Sequence, residues 1–289
     1  MSEPEYGPDS FISIAGEGYS RVFEHLKPMA LMTLPASIFL AILMVFMWMG
    51  SYKLGVQTPN YSAQMWMTRF QPLNQIFGIL SALCEYYVMF TLYRYAKDIY
   101  LKEPVLNWTA YMVPDKRLGI FIGVGLLLGL AQIFAGALIC LGFLLLVLPG
   151  LALFVGFMYV MSRFSETWTC YIQNPPAGVV NAFATSWVLT ENNVWRTIGL
   201  FSTLIVIKIL IALPCVLIMI FANIVMAVMS MIFRFPMDSP VLAILILLPM
   251  FILLWSQFAL GLGGMVFALY RYYFDLLSRR PAAYNNGHG

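Results

Sequence analysis

The stretch Asn174–Leu200, NPPAGVVNAFATSWVLTENNVWRTIGL, is the longest that is neither apolar enough to cross a membrane nor a tail. It reads as an amphipathic elbow that lies on a membrane and turns into the next span. Asn174 suits a helix N-cap, and Pro175 or Pro176 suits the first helical turn, where a missing N–H costs nothing. Val179, Val180, Phe183 and Trp187 follow at helical spacing and define an apolar face, with Asn181, Thr185 and Thr190 largely outside it. Glu191-Asn192-Asn193 breaks the pattern. Trp195-Arg196 then stands where an apolar run begins, the place for a belt aromatic and a snorkelling cation. Such a helix either senses lipid as a lateral gate or only fixes the angle of the following span.

Composition demands a membrane. Of 289 residues, 61% are hydrophobic and 10% charged, where soluble domains average about 25% charged. Mean hydropathy is +0.83. The net charge of +3 is scattered, with no basic run to suit nucleic acid. Cys84, Cys140, Cys170 and Cys215 are far apart and lie in or near apolar segments, which predicts buried structural thiols rather than a disulfide or metal framework. The acidic, polar first 28 residues do not resemble a cleavable signal peptide.

Outward from the elbow, a six-span pattern emerges, with roughly 20 apolar residues needed for each crossing. Residues 1–9 read as a tail. Phe11, Ile12, Ile14, Ala15, Tyr19, Val22, Phe23 and Leu26 form the stripe of a first elbow, separated by Pro28 from span one, Met29 to Gly50. Ser51 to Pro72 reads as a polar loop. Span two is Leu73 to Tyr93. Val105 to Met112 reads as a second elbow, span three as Leu118 to Ile139, and span four as ending near Met161 after a tight return at Cys140-Leu-Gly142. Gly119/Gly123 and Gly125/Gly129 have the spacing of close helix packing in lipid. Span five runs from Thr197 to about Ile220, then a bend or an interfacial segment, and span six from Val241 to Leu269. Residues 1–28 thus form a tail and interfacial helix, 29–275 the membrane domain and 276–289 a flexible tail.

Two span exits share their chemistry. MFTLYRYAKDIYLKEP (89–104) and VFALYRYYFDLLSRRP (266–281) match at Leu-Tyr-Arg-Tyr, an Asp and a Pro, and VMSRFSETWTCYIQNPP (160–176) is a looser copy around Arg163. The pattern predicts three repeats, each an interfacial elbow helix plus a helical hairpin. Arg94, Arg163, Trp187, Trp195, Arg196 and Arg271 are the expected membrane-interface residues. Twelve of the sixteen Lys and Arg residues fall on the side of the termini. The positive-inside rule then places both termini in the cytoplasm.

Glu85 and Lys208 lie within spans. Counted from Arg94 and from Arg196 or Thr197, both sit roughly 13–18 Å deep at 1.5 Å per residue. Charges there cost at least about 2.5–3.5 kcal/mol each. Similar depth suggests a Glu85–Lys208 pair, joined by Gln132 and Gln257. That cluster reads either as a polar cavity for an ion, proton or lipid headgroup, or as a structural ion pair locking spans two and five. Arg163 and Glu166 read as a surface helix pair. No catalytic set is visible: His25 and His288 are isolated, and HExxH, GxSxG and Walker patterns are missing.

Leu148-Pro149-Gly150, Arg163, Ala182-x3-Ser186-Trp187-x-Leu189-Thr190 and Trp195-Arg196-x2-Gly199 together resemble a six-span membrane domain. That domain occurs alone in uncharacterised bacterial proteins and is fused to some glycerophosphodiester phosphodiesterases. Lys27-Pro28 resembles its start, and the likeness spans most of residues 10–275. The resemblance implies a bacterial inner-membrane protein; it carries over no catalytic residue, because the phosphodiesterase domain is absent from this sequence. The sequence thus points to an all-α polytopic membrane protein with six transmembrane helices, without catalysis, cofactor or metal. It is expected to act as a scaffold or accessory module binding membrane lipids, a partner membrane protein or a second copy. A small transporter or lipid-handling protein built on Glu85 and Lys208 is the alternative.

Overall fold

The computed structural model describes residues 10–57, 63–145, 147–175, 178–233, 248–249 and 251–279. These are helical throughout, apart from turns. In order they form α1 (Phe11–Glu24), α2 (Leu26–Gln57), α3 (Ala63–Tyr100), α4 (Trp108–Tyr111), α5 (Lys116–Leu145), α6 (Val147–Arg163), α7 (Thr167–Gln173), α8 (Gly178–Leu189), α9 (Val194–Phe233) and α10 (Phe251–Ser278). Six segments are long and apolar enough to cross a membrane: Leu26–Phe46, Gln75–Tyr100, Lys116–Leu144, Val147–Gln173, Val194–Pro214 and Phe251–Ser278. The chain is therefore an all-α, multi-pass membrane protein.

Several boundaries differ from the sequence reading, each for a local reason. The loop expected over Ser51–Pro72 is helical through Gln57 and again from Ala63, with Pro72 inside α3. Pro28 lies in the first turn of α2, where its missing N–H costs nothing, and the break from α1 falls at His25. The second elbow shortens to the single turn of α4. The return between spans three and four comes after Leu145, not at Cys140–Gly142. Pro149 and Gly150 sit in the first turn of α6, and Gly142 lets the two backbones meet, since a Cβ there would lie 3.0 Å from Gly150 Cα. The bend expected after Ile220 is absent, and α9 continues to Phe233 with Pro214 inside it. The start expected for span six at Val241 lies outside the described residues, as do positions 1–9, 234–247 and 280–289.

Packing concentrates at one side of the bundle. Residues 88–93 of α3 are all buried, as are 266–272 of α10. The spanning windows of α5, α6 and α9 are only 17% buried inside the chain, against 56% for α10. α10 is the central helix. α1 runs antiparallel to its later half, burying Ile14, Ala15, Gly18, Tyr19 and Val22, while Ile12 and Phe23 of the expected stripe stay exposed. Gln257–Leu262 of α10 is a π-helical segment, and the glycines around it allow close approach. Gly263 meets Met29, Gly264 meets the Tyr19 ring, and a Cβ on Gly18 would lie 2.7 Å from that of Ala268. Of the two GxxxG spacings only Gly125/Gly129 packs, against Tyr86, whose hydroxyl donates to Gly125 O at 3.0 Å; Gly119 and Gly123 face open space. Cys170 is buried as expected, Cys84 is half-buried and Cys140 is exposed; the Cys215 side chain lies outside the description.

Overpacking a tight contact costs about 1–3 kcal/mol, and a protein of this size loses roughly 2–4 °C per kcal/mol. Gly264→Leu should therefore lower the unfolding temperature in detergent by about 3–10 °C, while Gly119→Leu leaves it unchanged. Equal effects in tryptophan-fluorescence melts would refute the packing of α1 on α10.

Candidate functional site

The polar side chains meet where the three span exits come together. α3, α6 and α10 each carry, at or near the exit, an arginine that reaches for an elbow belonging to a different hairpin. Arg94 Nη1 donates to the carbonyls of Tyr111 at 3.4 Å and Val113 at 3.1 Å, in the segment around α4. Arg163 lays its guanidinium over Trp187 of α8, 4.6 Å from the ring centroid. Arg271 donates through Nε to Glu17 Oε2 of α1 at 2.6 Å. The sequence order is thus exit one to elbow two, exit two to elbow three and exit three to elbow one. Helix packing follows the same cycle: α4 sits on α2 and α3, α8 on α6 and α7, α1 on α9 and α10.

The two Leu-Tyr-Arg-Tyr segments do matching work. Tyr93 and Tyr270, the equivalent first tyrosines, pack with ring centroids 5.7 Å apart. The second tyrosines bind the start of their own hairpins: Tyr95 Oη lies 3.1 Å from His25 Nδ1, and Tyr272 Oη 2.8 Å from Thr197 Oγ1. The equivalent aspartates differ in partner. Asp98 accepts from the Tyr111 hydroxyl at 2.5 Å, whereas buried Asp275 accepts from Arg196 and, at 3.0 Å, from Arg279 Nε. Burial lowers the pKa of His25, and burial together with the Asp98 contact raises that of Tyr111 to about 12.

The exit of α6 is built by α8. Ser186 Oγ donates to Arg163 O at 2.9 Å and accepts from Glu166 N–H at 3.1 Å; Thr190 Oγ1 also reaches Arg163 O at 3.2 Å. These hydroxyls take up the last carbonyl of α6, the chain turns over Phe164–Glu166, and α7 begins. Two expectations fall here. Asn174 follows the last residue of α7 rather than opening α8, which starts at Gly178 in the left-handed region. The face of α8 turned inward carries Ala182, Ser186, Leu189 and Thr190, while Val180 is 83% exposed. Small and hydroxyl-bearing residues face protein here because lipid takes the bulky ones. Trp195, 78% exposed, has the outward position expected of a belt residue.

Glu166 was missed. The sequence places it on the surface in a pair with Arg163; it is instead fully buried, and among the described residues no ion pair joins the two. The Thr169 hydroxyl lies beside its carboxylate and beside the buried Tyr93 hydroxyl. The signal available in the sequence was its place in SETWTCY, a segment too apolar and aromatic for a solvated carboxylate.

The mid-membrane residues are less gathered than expected. Among the described residues neither Glu85 nor Lys208 makes an ion pair, so the expected Glu85–Lys208 bridge is not formed. Depth along a helix says nothing of direction around it. Lys208 and Gln257 both approach Gly261: a Cβ on that glycine would lie 3.6 Å from Lys208 Cγ and 3.2 Å from Gln257 Oε1. Gln132 is exposed on α5. Among the described residues no group of three His, Cys, Asp or Glu side chains is placed to hold a metal. No protein-family model, curated protein or solved structure matches the chain.

A buried backbone group stripped of its partner costs about 1–3 kcal/mol. Ser186→Ala with Thr190→Val should therefore lower the unfolding temperature by about 4–10 °C, and Thr185→Val, on the exposed face of α8, should not. A melt of the double variant that matches wild type would remove the capping role. The lowered His25 pKa means that the unfolded chain binds more protons than the folded one below about pH 6.5. Stability should fall as pH drops from 7.5 to 5.5, and His25→Phe should flatten that dependence.

Proposed function

We propose that this chain is an integral membrane scaffold or accessory module that binds lipid or a partner protein and has no catalysis of its own. The observation that carries this reading is the outward apolar surface of α5 and α6. Their spanning windows bury little within the chain. Between them lies an apolar groove of about 760 Å³, lined among others by Ala131, Ala135, Ala152, Gly156 and Phe157. Small residues at four-residue spacing on both helices suit the close approach of another helix or an acyl chain. The crossed clasps between exits and elbows support a fixed frame over a rocking one.

The resemblance to the six-span bacterial membrane domain fits this reading, as does a bacterial inner membrane with both termini cytoplasmic. Matching contacts made by the two Leu-Tyr-Arg-Tyr segments support an origin by duplication into three units. A small transporter or lipid-handling protein is the second reading, favoured by Lys208 and Gln257 both lying beside Gly261 in the π-helical turn, since such turns concentrate at functional sites.

Photo-crosslinking in membranes separates the two. Probes at Phe134 and Leu148, both exposed on the hairpin, should give discrete protein or lipid adducts that a probe at Ile209 of α9 does not. The same adducts should survive Glu85→Leu with Lys208→Leu. Uniform adducts at all three positions would defeat the scaffold reading. Native mass spectra in which a bound small molecule disappears from the double variant would establish the second.

A further inference from the structure

We propose, resting on the scaffold reading of the groove between α5 and α6, that this groove holds an acyl chain of one anionic phospholipid whose phosphate lies on the Arg163 guanidinium. Two of the three exit arginines have acceptors within the chain. Arg94 has the carbonyls of Tyr111 and Val113, and Arg271 has Glu17. Arg163 is only 4% exposed, yet its Nε has no hydrogen-bond partner. Among the described residues it makes no ion pair, and Glu166, the next acid along the chain, is buried without pairing to it. Its guanidinium lies instead over two rings, 4.6 Å from the centroid of Trp187 and 6.0 Å from that of Tyr159. Both rings are open at the surface, 37% and 46% exposed. A buried cation without an anion is costly, and a guanidinium binds phosphate through two parallel hydrogen bonds.

The groove leads to this cation. Its lining on α6 includes Pro149, Ala152, Gly156 and Val160. Arg163 follows Gly156 by seven residues, two helical turns, and so stands on the same side of α6. It comes one turn after Val160, about 4.5 Å further along the axis, and Tyr159 beneath it is the chain neighbour of Val160. A Cβ on Gly156 would meet nothing within 4 Å, so the groove is open there. The lined stretch from Pro149 to Met161 rises about 18 Å. One leaflet's share of the hydrocarbon core is about 15 Å. An acyl chain laid along this stretch therefore brings its headgroup to the level of Arg163. A partner helix fits the groove only if it also carries a carboxylate at that level; a phospholipid supplies the apolar chain and the anion together. A headgroup with its own ammonium would set a second cation beside the guanidinium, which favours an anionic lipid over a zwitterionic one.

The test is native mass spectrometry of the full chain, delipidated in detergent and titrated with phosphatidylglycerol or with phosphatidylcholine of the same acyl chains. One phosphatidylglycerol should bind about tenfold more tightly than phosphatidylcholine, the range of a hydrogen bond to a charged group. Arg163→Gln, which leaves the capped carbonyl in place, should erase that preference. Gly156→Leu should weaken both lipids by filling the groove. Arg117→Gln, an exposed cation at the start of α5, should change neither. Equal binding of the two lipids by wild type overturns the proposal. So does a preference that survives Arg163→Gln, or an affinity that Gly156→Leu leaves unchanged. Displacement of bound phosphatidylglycerol by millimolar inorganic phosphate also overturns it, because Arg163 then holds a soluble anion. Should Arg163→Gln fail to fold, phosphatidylglycerol with a photoreactive tail decides on wild type. Labelling concentrated on Ala135, Phe157 and Met161 supports the site, and even labelling of α5, α6 and α9 overturns it. The scaffold reading fails separately: discrete protein adducts at Phe134 and Leu148 without a phosphatidylglycerol preference would leave it standing and remove only the lipid.

Discussion

The fold depends on how each helix exit is held. Within a bilayer the hydrophobic effect does not drive one helix against another, because lipid tails are as apolar as the side chains they would replace. Association has to come from close packing and from polar groups that find partners nowhere else. Here those groups sit at one end of the bundle. Arg271 reaches Glu17, Arg94 reaches the carbonyls near α4, and the carbonyl of Arg163 takes the hydroxyls of Ser186 and Thr190. Each contact ties a hairpin to an elbow that belongs to another hairpin. The N-terminal helix closes the cycle by docking on the last hairpin, so the first and last parts of the chain hold each other.

This arrangement explains the uneven burial. Near the clasps, α3 and α10 are enclosed on all sides and their tyrosines stack in the interior. Further along, α5, α6 and α9 bury little of their spanning surface within the chain and show bulky side chains outward. Where helices do touch in that region, glycine makes it possible: Gly125 under Tyr86, and Gly150 against Phe143. The membrane-facing part of the chain is therefore free to present a shaped apolar surface, since the frame is set elsewhere.

The six spans were legible because hydropathy reports directly on lipid exposure. Their ends were not. Polar residues alone do not end a helix, and Ser51–Gln57 and Ala63–Pro72 are helical despite their composition. The inward face of α8 was misjudged for a related reason. Amphipathic reasoning puts Val180 inside and Thr190 outside, which holds against water and fails against lipid. The Glu85–Lys208 pair failed because equal depth leaves azimuth undetermined. The matching Leu-Tyr-Arg-Tyr segments do share one contact that their sequence likeness alone does not specify: the second tyrosine of each meets the start of its own hairpin.

The place where the pattern breaks is the most informative. α3 and α10 run unbroken through their exits, past Arg94 and Arg271. At the middle exit the helix stops at Arg163, because Ser186 and Thr190 compete for its carbonyl and Ser186 also takes the N–H of Glu166. The position three beyond the arginine is Lys97 in one copy and Phe274 in the other, on helices that continue. At the middle exit it is Glu166, on a turn that brings it and the following α7 into the interior. A capping interaction worth about 1 kcal/mol per hydrogen bond thus decides where a glutamate side chain comes to lie, and the loss of helical continuity at one exit gives the centre of the protein its buried carboxyl group.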